Sequence, residues 1–409
     1  MPKIYLLDVT NRDGVQTAHL SLAKLEKTMI NLYLNTMGVH QSEFGFPVTR
    51  HETNYLNANL RLAKKKVLHP IKLSGWLRAL KQDVDDAFSN LSGLEYLNLS
   101  ISTSDQMITG KFLGKRNFSG IVREMTDAVE CAKKYGAKGI GVNAEDASRT
   151  SVEKLVEFGI AARDAGATRF RYCDTLGRDT PFSIYEKVVE VASKAKLPVE
   201  IHCHNDLGMV VACSIAGAKA ALDGGMDAFI NTTVNGMGER AGNADLVSVI
   251  LAVKYGAGMD SYQLDEQIDL SMAWKISHYA SYAFKVPLSI NQVGVGSNAF
   301  AHSSGIHVDG ALKDRRNYEL YDYEELGRGE PEIFETGRKI ILGEYSGIKG
   351  LRNIYGKLEI EFKDDNEARD ILELARYANV HKQKPLTNDE LKFIATYPEE
   401  ARLLMTVEP

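Results

Sequence analysis

Eight short β-rich runs alternate with longer stretches of helical periodicity through about the first 255 residues, and few folds accept that pattern. The runs are Ile4 to Asp8, His40 to Gly45, Ile71 to Gly75, Glu95 to Ile101, Gly139 to Asn143, Arg169 to Cys173, Val199 to His204 and Ala228 to Thr232. Between them, apolar residues such as Ile121, Met125, Ala128, Val129 and Ala132 recur at steps of three and four, as a core-facing helix requires. Eight βα units of this size predict an α/β chain folded as a (β/α)8 TIM barrel. An open doubly wound sheet is the alternative, because alternation alone does not prove closure.

The polar residues favour the barrel. Function in such barrels sits at the C-terminal ends of the strands, and every run here ends in useful chemistry. In chain order these ends carry Arg12 and Asp13, Glu43, Arg78, Ser102 and Thr103, then Glu145, Asp146 and Arg149. Asp174 and Thr175, His202 and His204, and finally Asn235, Glu239 and Asn243 complete the set.

His202 and His204 follow the apolar run Leu197 to Ile201, so two imidazoles share one face where a strand ends. Neutral imidazoles suit Zn, Mn, Fe, Co or Ni, but a hydrogen-bonded structural pair has the same sequence pattern, so a third ligand is needed. The N-terminus offers one, since Ile4 to Leu7 run into Asp8 and then Asp13 beside Arg12. Two His and one carboxylate leave coordination positions open for substrate. Cys203, between the histidines, points to the opposite strand face and reads as a buried packing residue.

Composition narrows the function classes. With 44% hydrophobic and 25% charged residues the 409-residue chain is an ordinary globular protein. Its net charge of -5 is spread without a basic stripe, which disfavours nucleic acid and anionic membrane as partners. No stretch approaches a bilayer span, and the chain is expected in the cytoplasm. The cysteines (Cys131, Cys173, Cys203, Cys213) lack CxxC spacing and are expected to be reduced.

The pattern changes near residue 275, which predicts a barrel over 1–275 and a smaller, mostly helical region over 276–409. That region opens with a helical segment around Trp274 to Phe284 and a Gly/Ser/Asn-rich stretch from Gly294 to Gly305. Glu367 to Leu404 reads as two or three helices, with Thr387 as an N-cap before Asp389 and Glu390. His302 and His307 lie in this region, where a segment folded over the barrel mouth could deliver a general acid or base, with Tyr318 able to hydrogen-bond it. The loop Gly236 to Asn243 would let backbone approach a ligand closely. It lacks the strand-then-helix setting of a dinucleotide site.

Four separated motifs together resemble the metal-dependent acyl-CoA condensing enzymes that include homocitrate synthase and 2-isopropylmalate synthase. Asp8-Val-Thr-Asn-Arg-Asp-Gly-Val-Gln16 is similar to the family's DxTxRDGxQ, and His202-Cys-His-Asn-Asp-Leu-Gly208 to its HxHNDxG. Asn235 to Asn243 resembles NGxGERxGN, and Ser304-Gly-Ile-His307 the SGIH element. The resemblance implies a TIM barrel, a divalent metal (Mn before Mg, Co or Zn), and Claisen condensation of acetyl-CoA with a 2-oxo acid followed by thioester hydrolysis. It implies Asp13, His202 and His204 as metal ligands with Asn243 close by, and Arg12 stabilising charge on the oxo oxygen. It further implies Arg149 and Thr175 as substrate contacts, Glu145 in acid–base steps, and His307 with Tyr318 as a pair brought by the C-terminal region. Glu43 and Arg78 are added as substrate-binding candidates from their strand ends. A homodimer is expected, because the family's C-terminal region commonly completes the neighbour's site.

Departures bear on the substrate. Val9, Asn11 and Val15 replace residues usual in the first motif, and Glu344-Tyr-Ser-Gly347 stands where many members have a His before Ser-Gly. The chain is expected to lack the regulatory domain of typical isopropylmalate synthases. Gln41-Ser-Glu-Phe-Gly-Phe-Pro47 and the unusual first motif are most similar to the Re-type citrate synthase branch, which uses oxaloacetate. Homocitrate synthesis from 2-oxoglutarate is the alternative, followed by other 2-oxo acids and by a non-catalytic binding protein. A lyase would want a cysteine in the loop Gly236 to Asn243, which has none.

Overall fold

The structure is a computed structural model that describes residues 2–265, 267–329 and 340–406. Strands β1 (Lys3–Asp8), β2 (Gln41–Gly45), β3 (Lys72–Arg78), β4 (Tyr96–Ser102), β5 (Gly139–Glu145), β6 (Arg169–Asp174), β7 (Val199–Cys203) and β8 (Ala228–Thr232) follow in order, each paired in parallel with the next. Closure comes from β1, which pairs β8 from Ile4↔Ala228 to Asp8↔Thr232 and β2 at Leu7↔Gln41 and Asp8↔Ser42. The sheet is therefore a barrel, and the open alternative falls. A short β9 (Gln263–Leu264) adds to the start of β1.

The two faces of the strands differ in chemistry. Leu6, Leu97, Val142, Ile201 and Ile230 are fully buried in the apolar shell shared with the surrounding helices. The barrel interior is polar instead. Arg171 of β6 donates to Glu43 of β2 at 2.6 Å, and Arg169 to Gln41 at 3.0 Å. β2 and β6 are not neighbours in the sheet, so these contacts cross the lumen. At the N-terminal end Tyr5 stacks on Phe229 at 4.9 Å and His40 lies 4.7 Å from Tyr5.

The helix Ala273–Phe284 runs across residue 275, and the final segment forms three helices, Asp365–Lys382, Asn388–Thr396 and Pro398–Met405. Thr387 caps the second, accepting from the Glu390 N–H while the Glu390 side chain accepts from the Thr387 N–H. This segment locks onto the helices Lys24–Thr36 and Ala273–Phe284 through buried charge. Lys382 holds Glu390 at 2.5 and 2.6 Å, Tyr279 donates to Glu390 at 2.8 Å, and Lys384 reaches Glu26 at 2.6 Å. Removing one partner of such a network strands a buried charge, so it fixes a single docking position. The helix Gly305–Lys313 is different, for none of its residues is buried.

Candidate active site

The strand-end residues converge first at β1 and β7. After β1 the chain turns tightly, with the Val9 carbonyl accepting from Arg12, Asp13 and Gly14 N–H groups at 3.1, 2.8 and 3.1 Å. This turn aims Asp13 across to the end of β7, where one carboxylate oxygen lies 3.2 Å from His202 Nε2 and 3.7 Å from His204 Nε2. His204 lies one residue beyond the strand in an isolated bridge to Asn243, which brings the Gly-rich loop to the same place. The glycines of that loop serve its own crossing. A Cβ at Gly242 would meet the Gly236 carbonyl at 2.0 Å, and one at Gly238 would meet Asn243 Nδ2 at the same distance.

The donor set fits a divalent cation. Ligand atoms of Asp13, His202 and His204 lie within 4.8 Å of one another, and all three residues are buried. Asn231 donates to Glu200 at 2.7 Å, which turns its amide oxygen toward His202 Nδ1 at 3.0 Å. That oxygen accepts the Nδ1 proton and leaves the His202 Nε2 lone pair facing a carboxylate. Two acceptors opposed at 3.2 Å call for a positive charge between them. Asp13 Oδ2, His204 Nδ1 and Asn243 Oδ1 are buried without hydrogen-bond partners. Burial, then the His202 ring, pull the His204 pKa down to about 4, so the imidazole is a neutral ligand at pH 7. Burial alone would raise the Asp13 carboxyl, but Arg12, His202 and His204 outweigh it and hold it far below the usual range.

Arg12 is held from behind. Its Nε donates to Glu43 at 2.5 Å, Nη1 lies 3.5 Å from Asp13, and the guanidinium sits 5.5 Å from the Trp76 ring. Glu43 is fully buried and also accepts from Arg171 and Asn98, each at 2.6 Å. Burial would raise its pKa, yet Arg12 and Arg171 bring it down to about 2. Arg171 in turn contacts Glu200 at 2.5 Å. One chain of buried contacts thus runs from His202 through Asn231, Glu200, Arg171 and Glu43 to Arg12. The expectation of Glu43 as a substrate contact meets a carboxylate already committed to three side chains.

A second cluster forms where β4 and β5 end in register at Ser102↔Glu145. Ser102 donates to Glu145 at 2.6 Å, and Lys111 Nζ reaches both carboxylate oxygens at 2.8 and 2.7 Å. Arg149 is bound side-on by Asp146, with Nε at 3.0 and 2.9 Å and Nη2 at 2.7 Å. The Thr175 hydroxyl accepts from the Asp146 N–H at 2.9 Å. Cys173 is buried near the end of β6. Burial drives its thiol pKa up, Arg171 opposes this, and Glu145, Glu200 and Arg12 also act on it.

Two expected groups have other partners. Arg78 is gripped by Asp83 at 2.8 and 2.7 Å, with its side chain 59% exposed. His307 is exposed and packs on Tyr318 with ring centroids 4.3 Å apart, a ring contact rather than the expected hydrogen bond, while His302 pairs with Glu319 at 3.2 Å. Sequence reasoning missed Lys111, Arg171, Glu200 and Asn231. The last three are polar residues in the middle of runs read as strands, which is itself the signal of a polar lumen. Lys111 sits in a connecting segment and carried no such signal.

Comparisons with known proteins bear on the family and the fold. Residues 3–279 match the family model HMGL-like, and residues 295–382 match the homocitrate synthase post-HMGL domain-like model. The chain is 59% identical over 411 aligned residues to a Citrate (Re)-synthase of Dehalococcoides mccartyi, covering 100% of this chain and 99% of that protein. It is 38% identical to a 2-isopropylmalate synthase 2 of Caldanaerobacter subterraneus subsp. tengcongensis (96% and 94% covered) and 33% identical to a homocitrate synthase 1 of a Nostoc species (96% and 96%). Among solved structures an HMG-CoA lyase from Brucella melitensis superposes with a TM-score of 0.56 at 15% identity, over 70% of this chain and 100% of that one, a likeness of fold alone. The chain belongs to the HMGL-like family, with a homocitrate synthase post-HMGL region behind its barrel.

Proposed function

We propose that this chain condenses acetyl-CoA with a 2-oxo dicarboxylate and hydrolyses the resulting thioester, with oxaloacetate as the preferred acceptor and citrate as product. The observation that carries the reading is Arg12, held against Glu43 at 2.5 Å beside the Asp13, His202 and His204 cluster. Full-length identity of 59% to a Citrate (Re)-synthase supports the choice of oxaloacetate. Homocitrate formation from 2-oxoglutarate is the second reading, supported by the 33% identical homocitrate synthase.

Asp13, His202 and His204, with Asn243 adjoining, would hold a divalent metal, with Mn favoured over Mg, Co or Zn. Such an ion polarises a ketone and its neighbouring carboxylate as a Lewis acid. In condensation the acetyl methyl loses a proton to a base, its carbon bonds the ketone carbon, and the carbonyl electron pair moves onto the oxo oxygen. Arg12 stabilises that oxygen, an effect of the kind worth ~3 kcal/mol when one donor is removed. Arg149 and Thr175 hold the 2-oxo acid, Arg149 through a paired guanidinium–carboxylate contact. Hydrolysis then breaks the C–S bond and releases CoA as the thiol. Glu43 acts by positioning Arg12, and Arg78 contributes to the substrate only if Asp83 releases it.

The base is assigned to His307, with Tyr318 beside it and Glu145 assisting, and His307 is supplied by a second copy. Ile306 and Leu312 of the helix Gly305–Lys313 are 74% and 83% exposed, which suits a helix that seats on another chain. Residues 1–275 then form the catalytic barrel and 276–409 the region that completes a neighbouring site. A cytoplasmic setting suits the buried free thiols of Cys131, Cys173, Cys203 and Cys213. No helix among the described residues is long and apolar enough to cross a membrane.

The test is release of free CoA from acetyl-CoA with a divalent metal and, separately, oxaloacetate, 2-oxoglutarate, 2-oxoisovalerate and pyruvate. Preference for oxaloacetate supports the first reading, and preference for 2-oxoglutarate selects the second. No turnover with any of them overturns both.

A further inference from the structure

Lys111 stands outside every sequence motif, yet its ammonium holds both oxygens of a carboxylate at the β4 and β5 ends. It follows the short helix Asp105–Gly110 in the loop after β4. Its ammonium touches both Glu145 oxygens, at 2.8 and 2.7 Å, and the Ser102 hydroxyl at 3.1 Å. Ser102 is itself fully buried and donates to Glu145 at 2.6 Å. The carboxylate is therefore bound from two sides by groups on two different elements.

The loop that carries Lys111 is itself anchored to the end of β5. The Thr103 N–H donates to the Glu145 carbonyl at 3.0 Å, and the Thr103 and Thr150 hydroxyls are 2.8 Å apart. Ser104 donates to Asp146, and Lys154 pairs with Asp105 at 2.5 Å. An isolated surface ion pair on mobile side chains contributes little, but this one closes a ring of contacts whose other members are fixed. Glu145 ends the strand, and three side-chain torsions would otherwise leave its carboxylate free to turn.

We infer that Lys111 is a positioning residue for the condensation, holding Glu145 in the one orientation from which it assists proton transfer. The inference rests on the proposed function above, and it adds a residue that acts through Glu145 without touching substrate. Groups in acid–base steps act over hydrogen-bond distance, and a displacement of about 1 Å is enough to cost on the order of a hundredfold in rate.

The experiment compares wild type, Lys111→Met, Lys111→Arg, Glu145→Gln and the double variant Lys111→Met with Glu145→Gln. CoA release is measured with saturation curves for acetyl-CoA and the 2-oxo acid, and thermal unfolding checks that each variant folds. The expected result is a kcat lowered about ten- to a hundredfold in Lys111→Met with both KM values within about twofold of wild type. Lys111→Arg recovers most of that loss. In the Glu145→Gln background Lys111→Met costs nothing further, as it must if it acts only through that carboxylate. Three results overturn the inference in an active wild type: unchanged kinetics in Lys111→Met, a raised KM for the 2-oxo acid at constant kcat, or multiplying losses in the double variant. A wild type that releases no CoA with any acceptor overturns the function reading first, and this inference falls with it.

Discussion

Arg12 and His202 of the barrel mouth are each held from behind by a buried partner, whereas His307 and Tyr318 hold chiefly each other. Glu43 and Asn231 fix the first group, and Arg171 and Glu200 fix those in turn. Among the described residues nothing comparable lies behind the helix Gly305–Lys313, whose residues all reach solvent. The final three helices, on the same side of residue 275, are docked by buried ion pairs, so exposure is a property of that one segment and not of the whole C-terminal region. On the proposed function, the difference means that the barrel would bring a preorganised metal and oxyanion half to the reaction, and the second half would be completed by another surface.

The comparison breaks most decisively at Asp13. Asp13→Ala removes the carboxylate that both histidines face, and metal affinity and CoA release should fall together by at least about a thousandfold, read by calorimetric titration of Mn and by kinetics. Arg12→Ala leaves the ligands in place, so metal binding should survive while kcat drops on the order of a hundred- to a thousandfold. The contrast between those two variants separates the metal from the oxyanion group. Asn231→Ala frees the His202 ring, which should weaken metal binding roughly ten- to a hundredfold, with activity recovered at high metal concentration. Recovery failing there would show that Asn231 does more than orient the ring.

The smallest effect lies beneath the mouth, at Asp8. Burial lifts its pKa from 3.8 to about 7, against hydrogen bonds from Thr10 that lower it. The folded chain keeps a proton that the unfolded chain gives up, so the contribution of Asp8 to stability is full below pH 3.8 and is lost as pH rises through about 7. Wild type should therefore lose ~1–3 kcal/mol from this group between about pH 5 and about pH 8, and Asp8→Asn should not. Urea unfolding of both proteins at about pH 5 and about pH 8 measures the difference.

Local patterns in the sequence located the fold and the candidate ligands, and distance along the chain hid the rest. Alternating periodicities are local, so the eight strands are legible, with starts misplaced by one residue at Ile4, His40, Ile71 and Glu95. His40 shows why: its carbonyl accepts from Lys72 at 3.0 Å, but the paired ladder begins at Gln41. His202 and His204 are legible because two residues on one strand face must lie together. The support behind Arg12 is not, because Glu43 and Arg171 are 128 positions apart and meet only once the barrel closes. Lys111 is invisible for a related reason, since its partner lies 34 positions away on the next strand. Exposure of His307 could not be read at all, because a lone helix with Ile306 and Leu312 looks in sequence like any helix that packs on its own chain.

The most direct test of a site shared between two copies is to mix two variants that are each inactive, Arg12→Ala and His307→Ala, after unfolding and refolding together. If one chain's His307 serves the other chain's barrel, each mixed dimer has one intact site, and activity should return to about a quarter of wild type. Mixed dimers that form, as shown by mass, yet release no CoA would place His307 over its own barrel and contradict the account.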